Sequence, residues 1–164
     1  VVTGPESSGK TTLALALAER LGAVCVPEFS RVYLQNLGRD YTQADLPRIA
    51  AGQMAWEDWH AEHARAPIVC DTDLTVLHIW SLHKYGVEEP FTAENLARRR
   101  ADFYLLAAPD FEWHPDPLRE NPHDRDVLFG KYEALLRALE VPFWMLRGDQ
   151  ATRLEAAVSK IVIG

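Results

Sequence analysis

Residues 4–12 read GPESSGKTT, which has the spacing G-x-x-x-x-G-K-[ST]. No other feature of the chain constrains its fold as strongly, because this spacing needs a strand, a glycine-rich loop and a helix in immediate succession. Glycines let the backbone wrap closely, so several N–H groups converge on negative charge. The helix that follows adds its positive N-terminal end. The ligand group this implies is the di- or triphosphate of a nucleotide. Gly4, Glu6, Ser7, Ser8, Gly9, Lys10, Thr11 and Thr12 are the expected phosphate-binding residues, with Lys10 reaching the β/γ-phosphates and the Thr11 hydroxyl placed for Mg²⁺. The flanks agree: Val1–Thr3 reads as a strand and TLALALAERLG as a helix.

The rest of the chain alternates in the same way. Short apolar runs at residues 23–26, 68–71, 103–108 and 142–146 are separated by helical patterns. Those patterns cover residues 10–21, 28–37, 42–64 (capped by Thr42), 73–85, 92–100 (capped by Thr92), 121–140 and 151–162. Strands that alternate with helices predict an α/β fold, a parallel sheet with helices on both faces. No repeat, low-complexity stretch or linker interrupts it, so residues 1–164 read as a single domain.

Composition narrows the function classes. The net charge of −7 argues against a nucleic-acid binder, whose main affinity comes from neutralising phosphates. Arg98-Arg99-Arg100 reads as a solvated helix end. Cys25 and Cys70 sit inside apolar runs and read as buried free thiols. No apolar run approaches the roughly 18 residues of a membrane span and no signal-peptide pattern is present, so the expectation is a cytoplasmic protein with no membrane partner. The chain starts without Met, inside a strand, which leaves room for an upstream domain. A homo-oligomer is equally open.

Three further segments carry chemistry. In PIVCDTD, Asp71 ends an apolar strand at the carboxyl edge of the sheet, where ligands of open α/β folds bind, and suits Mg²⁺ held directly or through water. Asp73, two residues on, fits either a substrate ligand or a helix N-terminal charge. In VPEFSR, Glu28 also falls at the carboxyl edge, placed to take the proton of an attacking hydroxyl or to orient it. Arg31, one turn on, can hold phosphate or pair with Glu28. Gln53 can hydrogen-bond a substrate. The polar, proline-rich segment 109–122 reads as a lid, open or mobile without ligand, with Arg119 and Arg125 (just beyond it) as the guanidinium groups for transition-state charge. Lys10, Glu28, Asp71, Arg119 and Arg125 are thus the candidate catalytic set. Trp56 and Trp59 read as core or pocket wall, and one of them could stack a flat base. His60 and His63 lack a metal-ligand pattern around them.

Taken in order, VVTGPESSGKTTLA, VPEFSRVYL, IAAGQ, VCDTDLTVLHIWSLHKYG and YLLAAPDFEW followed by PD and LR resemble the kinase domain of NadR-type proteins, ribosylnicotinamide kinases of the P-loop nucleoside/nucleotide kinase kind. The likeness runs over about residues 1–148. It implies a P-loop NTPase fold of three layers, α/β/α, around a five-stranded parallel sheet of order 2-3-1-4-5. It also implies ATP and Mg²⁺, and transfer of phosphate to the 5′-hydroxyl of nicotinamide riboside to give NMN for NAD synthesis. By matching, residues 4–12 take the phosphates, Glu28 and Arg31 face the substrate, Asp71 and Asp73 are the paired acids, and Arg119 and Arg125 belong to the lid. Pro27 stands where some members carry a ring-stacking aromatic residue, and Pro117 where a glycine often precedes LR. Two other classes stay open: a P-loop ATPase or nucleotide-binding regulatory switch, and a kinase for another nucleoside.

Overall fold

The computed structural model describes residues 1–163. Strands β1 (Val2–Thr3), β2 (Val24–Val26), β3 (Ile68–Cys70), β4 (Tyr104–Ala107) and β5 (Phe143–Leu146) are all parallel to their neighbours. Helix α1 (Lys10–Leu21) follows β1, and α2 (Phe29–Asn36) follows β2. A 3₁₀ turn at Gln43–Asp45 leads into α3 (Leu46–His63). Next come α4 (Leu74–Trp80), continued by a π turn at Ser81–Tyr85, and α5 (Pro90–Arg98). Helix α6 (Arg125–Ala138) precedes β5, and α7 (Gln150–Ile163) follows it.

The ladders divide the expected five strands into two parts. One sheet has three strands in the order β1-β4-β5, and a second has two, β2-β3. A single bridge, Val2 to Asp71, links them, with the Thr72 N–H donating to the Val2 carbonyl at 2.9 Å. The cause is local. β1 is two residues long, and Thr72, at φ 68°, turns the chain out of the extended region just past the bridge.

Alternation along β4 builds the layers. Tyr104, Leu106 and Ala108 face a cluster with Val76 and Ile79 of α4 and Leu128, Tyr132 and Leu136 of α6. Leu105 faces the other way, onto Leu13, Leu17 and Ala18 of α1 and Ala157 of α7. Helices α3, α4 and α5 close a third cluster through Leu46, Ile49, Leu74, Leu77 and Leu96. β4 is buried along its whole length, as expected of a strand covered on both faces.

Several helix starts shift from the sequence reading for chemical reasons. Glu89, not Thr92, caps α5: its carboxylate accepts from the Phe91 and Thr92 N–H groups, and Pro90 takes the first helical position. Thr42 caps the 3₁₀ turn rather than α3, in a reciprocal capping box with Asp45. The helix expected from residue 121 begins at Arg125, after Asp124. Cys25 and Cys70 are free, and burial pushes the Cys70 thiol up to about 12, so it stays protonated. Among the described residues no helix is long and apolar enough to cross a membrane.

Candidate active site

The loop between β1 and α1 has the conformation its glycines allow. Gly4 sits at φ 138°, so close to β4 that a Cβ would lie 2.6 Å from the Ala107 carbonyl oxygen. Gly9, at φ 76°, caps α1 in the left-handed region, with Phe111 against it. Ser7 adopts φ 53° without being glycine. Its hydroxyl is held by the His114 N–H at 3.1 Å and donates to the Glu112 carbonyl at 3.3 Å.

A cleft opens over this loop. It is lined by residues 4, 6–12 and by Glu28, Ser30, Arg31, Leu34, Val76, Trp80, Leu118, Arg119 and Tyr132. Lys10 starts α1 and donates from Nζ to the Pro5 carbonyl at 2.7 Å. Burial lowers its pKa, while the carboxylates of Glu28, Asp71 and Glu6 act in the opposite sense. Asp71, 3% exposed, emerges from β3 close to the Thr11 side chain. Burial raises the Asp71 pKa, partly opposed by Thr11 and by Lys10. Its Oδ1 has no protein partner.

That orphaned oxygen is the observation that bears on a metal. A buried carboxylate oxygen without a donor, next to a hydroxyl at the head of a phosphate loop, is a hard-oxygen pair suited to Mg²⁺. Among the described residues no group of three or more His, Cys, Asp or Glu could cage an ion. Thr11 and Asp71 therefore fit Mg²⁺ as two oxygen ligands and not as a full protein cage.

Glu28 caps the start of α2 and accepts from the Ser30 hydroxyl at 2.6 Å. Arg31, one turn on, does not pair with it. Its Nη1 donates to Asp116 of segment 109–122 at 3.1 Å. Segment 109–122, expected as a lid that stands open, instead lies on the phosphate loop. Glu6 accepts the N–H groups of Glu120 and Asn121, each at 3.0 Å. Glu120 is itself held by Lys84 and by the Tyr41 hydroxyl, both at 2.8 Å. Polar groups in segment 109–122 thus find protein partners where solvent was expected.

Four candidates lie outside the cleft lining: Asp71, buried behind Thr11, and Arg125, Gln53 and Asp73. Arg125 donates to the Phe111 carbonyl at 2.7 Å and the Ser7 carbonyl at 3.4 Å, pinning the start of segment 109–122 to the phosphate loop. Gln53 is 3% exposed, its Oε1 accepting from the Phe29 N–H at 2.9 Å and its Nε2 donating to Glu57 at 3.0 Å. Asp73 caps α4 through the Thr75 N–H at 3.0 Å and accepts the Tyr104 hydroxyl at 2.7 Å. Asp73→Ala is expected to cost about 2–4 kcal/mol in urea unfolding, the cap plus a stranded buried phenol.

Other residues enter that sequence reasoning passed over. Trp80, Tyr132, Val76, Leu34 and Leu118 line the cleft together with the phosphate loop. Trp56 packs edge-on against Phe29 at 5.0 Å, and Trp59, 57% exposed, stacks on His63. The Trp80 side chain shares a helix with residues of the core, and nothing in its sequence neighbourhood marks it as lining a cleft.

The sequence model of a family described as an AAA domain matches residues 1–153. Among curated proteins none matches the chain. Two solved structures of NadR protein superpose well. One, in complex with NAD and AMP-PNP, has a TM-score of 0.80 at 20% identity, over 98% of this chain and 47% of that one. The other, in complex with NR, has a TM-score of 0.81 at 24% identity, over 98% and 49%. Deoxyadenosine kinase from M. mycoides with bound dCTP matches over 100% of this chain and 98% of its own, with a TM-score of 0.62 at 14% identity. These likenesses show the α/β P-loop kinase fold, and the chain spans about half the length of the NadR chains.

Proposed function

The chain belongs to the AAA domain family, and on that footing we propose that it is an ATP-dependent kinase of a nucleoside, with nicotinamide riboside as acceptor and NMN as product. One observation carries the reading: the cleft has two unlike halves. One is the phosphate loop with Lys10 and Thr11, backed by the buried Asp71. The other is a wall of Leu34, Val76, Trp80 and Tyr132 with Glu28 and Arg31 at its rim. A nucleotide needs only the first half. The second has the flat, apolar and polar-edged character that receives a base and a sugar. The likeness to NadR supports the choice of acceptor.

The reaction is an in-line transfer. The acceptor 5′-hydroxyl oxygen forms a bond to the γ-phosphorus as the bond to the bridging β,γ-oxygen breaks, and ADP leaves. Glu28, anchored by Ser30, receives or orients the hydroxyl proton. Lys10 moves from the Pro5 carbonyl to the phosphates, and the N–H groups of residues 4–12 hold the charge. Thr11 and Asp71 would hold Mg²⁺, which would supply neutralisation of phosphate charge. Arg119, in the cleft lining on the lid, stabilises charge on the transferring group, and segment 109–122 excludes water as it closes. Arg125 supports that lid from its base. In this reading Asp73 serves by capping α4 beside Asp71, and Gln53 by holding the start of α2 where Glu28 stands. The bridge at Val2 and Asp71 supports a continuous strand order 2-3-1-4-5 across the two ladders.

The test is an assay with Mg·ATP and a panel of nucleosides, scored for phosphorylated product. NMN from nicotinamide riboside, at a kcat/KM above the other nucleosides, is the expected result. ATP hydrolysis with no phosphorylated nucleoside would replace the kinase with an ATPase. Glu28→Gln is expected to lower product formation by about 10²-fold with Mg·ATP affinity near the parent's. Loss of ATP affinity instead would move Glu28 to the nucleotide side.

A further inference from the structure

A phosphate loop aims its N–H groups inward, so its trans peptides turn the corresponding carbonyls outward. Outward carbonyls that are buried need partners. Two of them find partners on α7. Arg153 Nη1 donates to the Ser8 carbonyl at 2.7 Å, and Gln150 Nε2 to the Gly9 carbonyl at 3.1 Å. Arg153 is 0% exposed. Its Nη2 donates to the Ala108 carbonyl at 2.8 Å and to Asp110 at 3.2 Å, and its guanidinium lies 4.5 Å from the centre of the Phe111 ring.

A guanidinium is an expensive group to bury, and packing does not require one here. Leu154, Ala157 and Val158 already anchor α7 to the sheet. What Arg153 supplies is connection, because one planar fork joins the phosphate loop, the end of β4 and the root of the lid. A charged donor on the Ser8 carbonyl polarises the Ser8–Gly9 peptide. The Ser8–Gly9 peptide is trans, so the Gly9 N–H lies on the side opposite that carbonyl, and Gly9 lines the cleft.

We infer that Arg153 is a positioning residue for the nucleotide phosphates, fixing and polarising the Ser8–Gly9 peptide and tying it to the base of the lid. The inference rests on the nucleotide half of the proposed function and is independent of the acceptor. Arg153→Met keeps the bulk and removes every donor. Arg153→Lys keeps the charge but cannot span the Ser8 and Ala108 carbonyls together.

The experiment titrates Mg·ATP and inorganic tripolyphosphate by calorimetry, reading affinity and the number of sites separately. Arg153→Met is expected to raise Kd for both ligands about 30-fold or more, and Arg153→Lys about tenfold, with the site number kept. Leu136→Ala, in the cluster on the opposite face of the sheet, is the stability control: it lowers the unfolding midpoint and leaves Kd unchanged. A merely structural role would lower the number of sites and spare Kd, which overturns the inference. So would an equal rise in Kd for Leu136→Ala, or a weakening seen with ATP but not tripolyphosphate. If Arg153→Met does not fold, Arg153→Lys decides on the same readings. A parent protein that binds neither ligand would refute the nucleotide reading itself. Tight parent binding with unchanged variants would refute only the role of Arg153.

Discussion

Lys10→Met lowers turnover at saturating ATP and acceptor by about 10²–10³-fold or more, because it removes the one ammonium at the head of the phosphate loop. The same substitution raises the thermal stability of the ligand-free protein at neutral pH. Burial lowers the Lys10 pKa from 10.5, so between the folded value and 10.5 the unfolded chain holds more protons and stability rises with pH. Below that window the cost of the buried charge is fully present, and methionine relieves it. Product formation and a melting curve without ligand measure the two effects. Turnover within a few-fold of the parent would remove Lys10 from the reaction. An unchanged melting curve would mean that Lys10 is solvated in the free protein.

Asp71→Asn has the next largest effect. The Mg²⁺ concentration for half-maximal rate rises by about an order of magnitude, and kcat falls by about 10²-fold, as the carboxylate that fits the ion becomes a neutral amide. Its ligand-free stability also moves upward. Burial raises the Asp71 pKa above 3.8, so between 3.8 and the folded value the folded protein holds more protons and stability falls as pH rises. Above that window the full cost remains, and Asp71→Asn removes it. The variant is therefore expected to melt higher than the parent at pH 7 and to lose most of the stabilisation that Mg·ATP gives the parent. A Mg²⁺ titration that does not shift would leave Asp71 a buried strand-end charge with no metal. Both variants share a logic, in which charges held ready for a ligand oppose the stability of the empty protein.

The division between sequence and tertiary structure follows the range of the forces involved. Local rules were enough for the phosphate loop, because Gly4 and Gly9 need positive φ and Lys10 must follow at a helix start, all within nine residues. They were enough for the strand–helix alternation and for Asp71, since an apolar run that ends in an acid marks a strand's carboxyl end wherever the strand lies. Charge and spacing could not say which partners a polar side chain would find. Arg31 met Asp116, 85 positions on, instead of Glu28, and Asp73 met Tyr104 across 31 positions. Trp80 reached the cleft wall while Trp59 stayed outside, a choice set by how α3 and α4 pack rather than by either helix's own pattern. Arg153 lies 145 positions from the Ser8 carbonyl it holds. Its neighbours in α7 read as an ordinary amphipathic helix, and only the closure of that helix onto the sheet makes its burial and its partners visible.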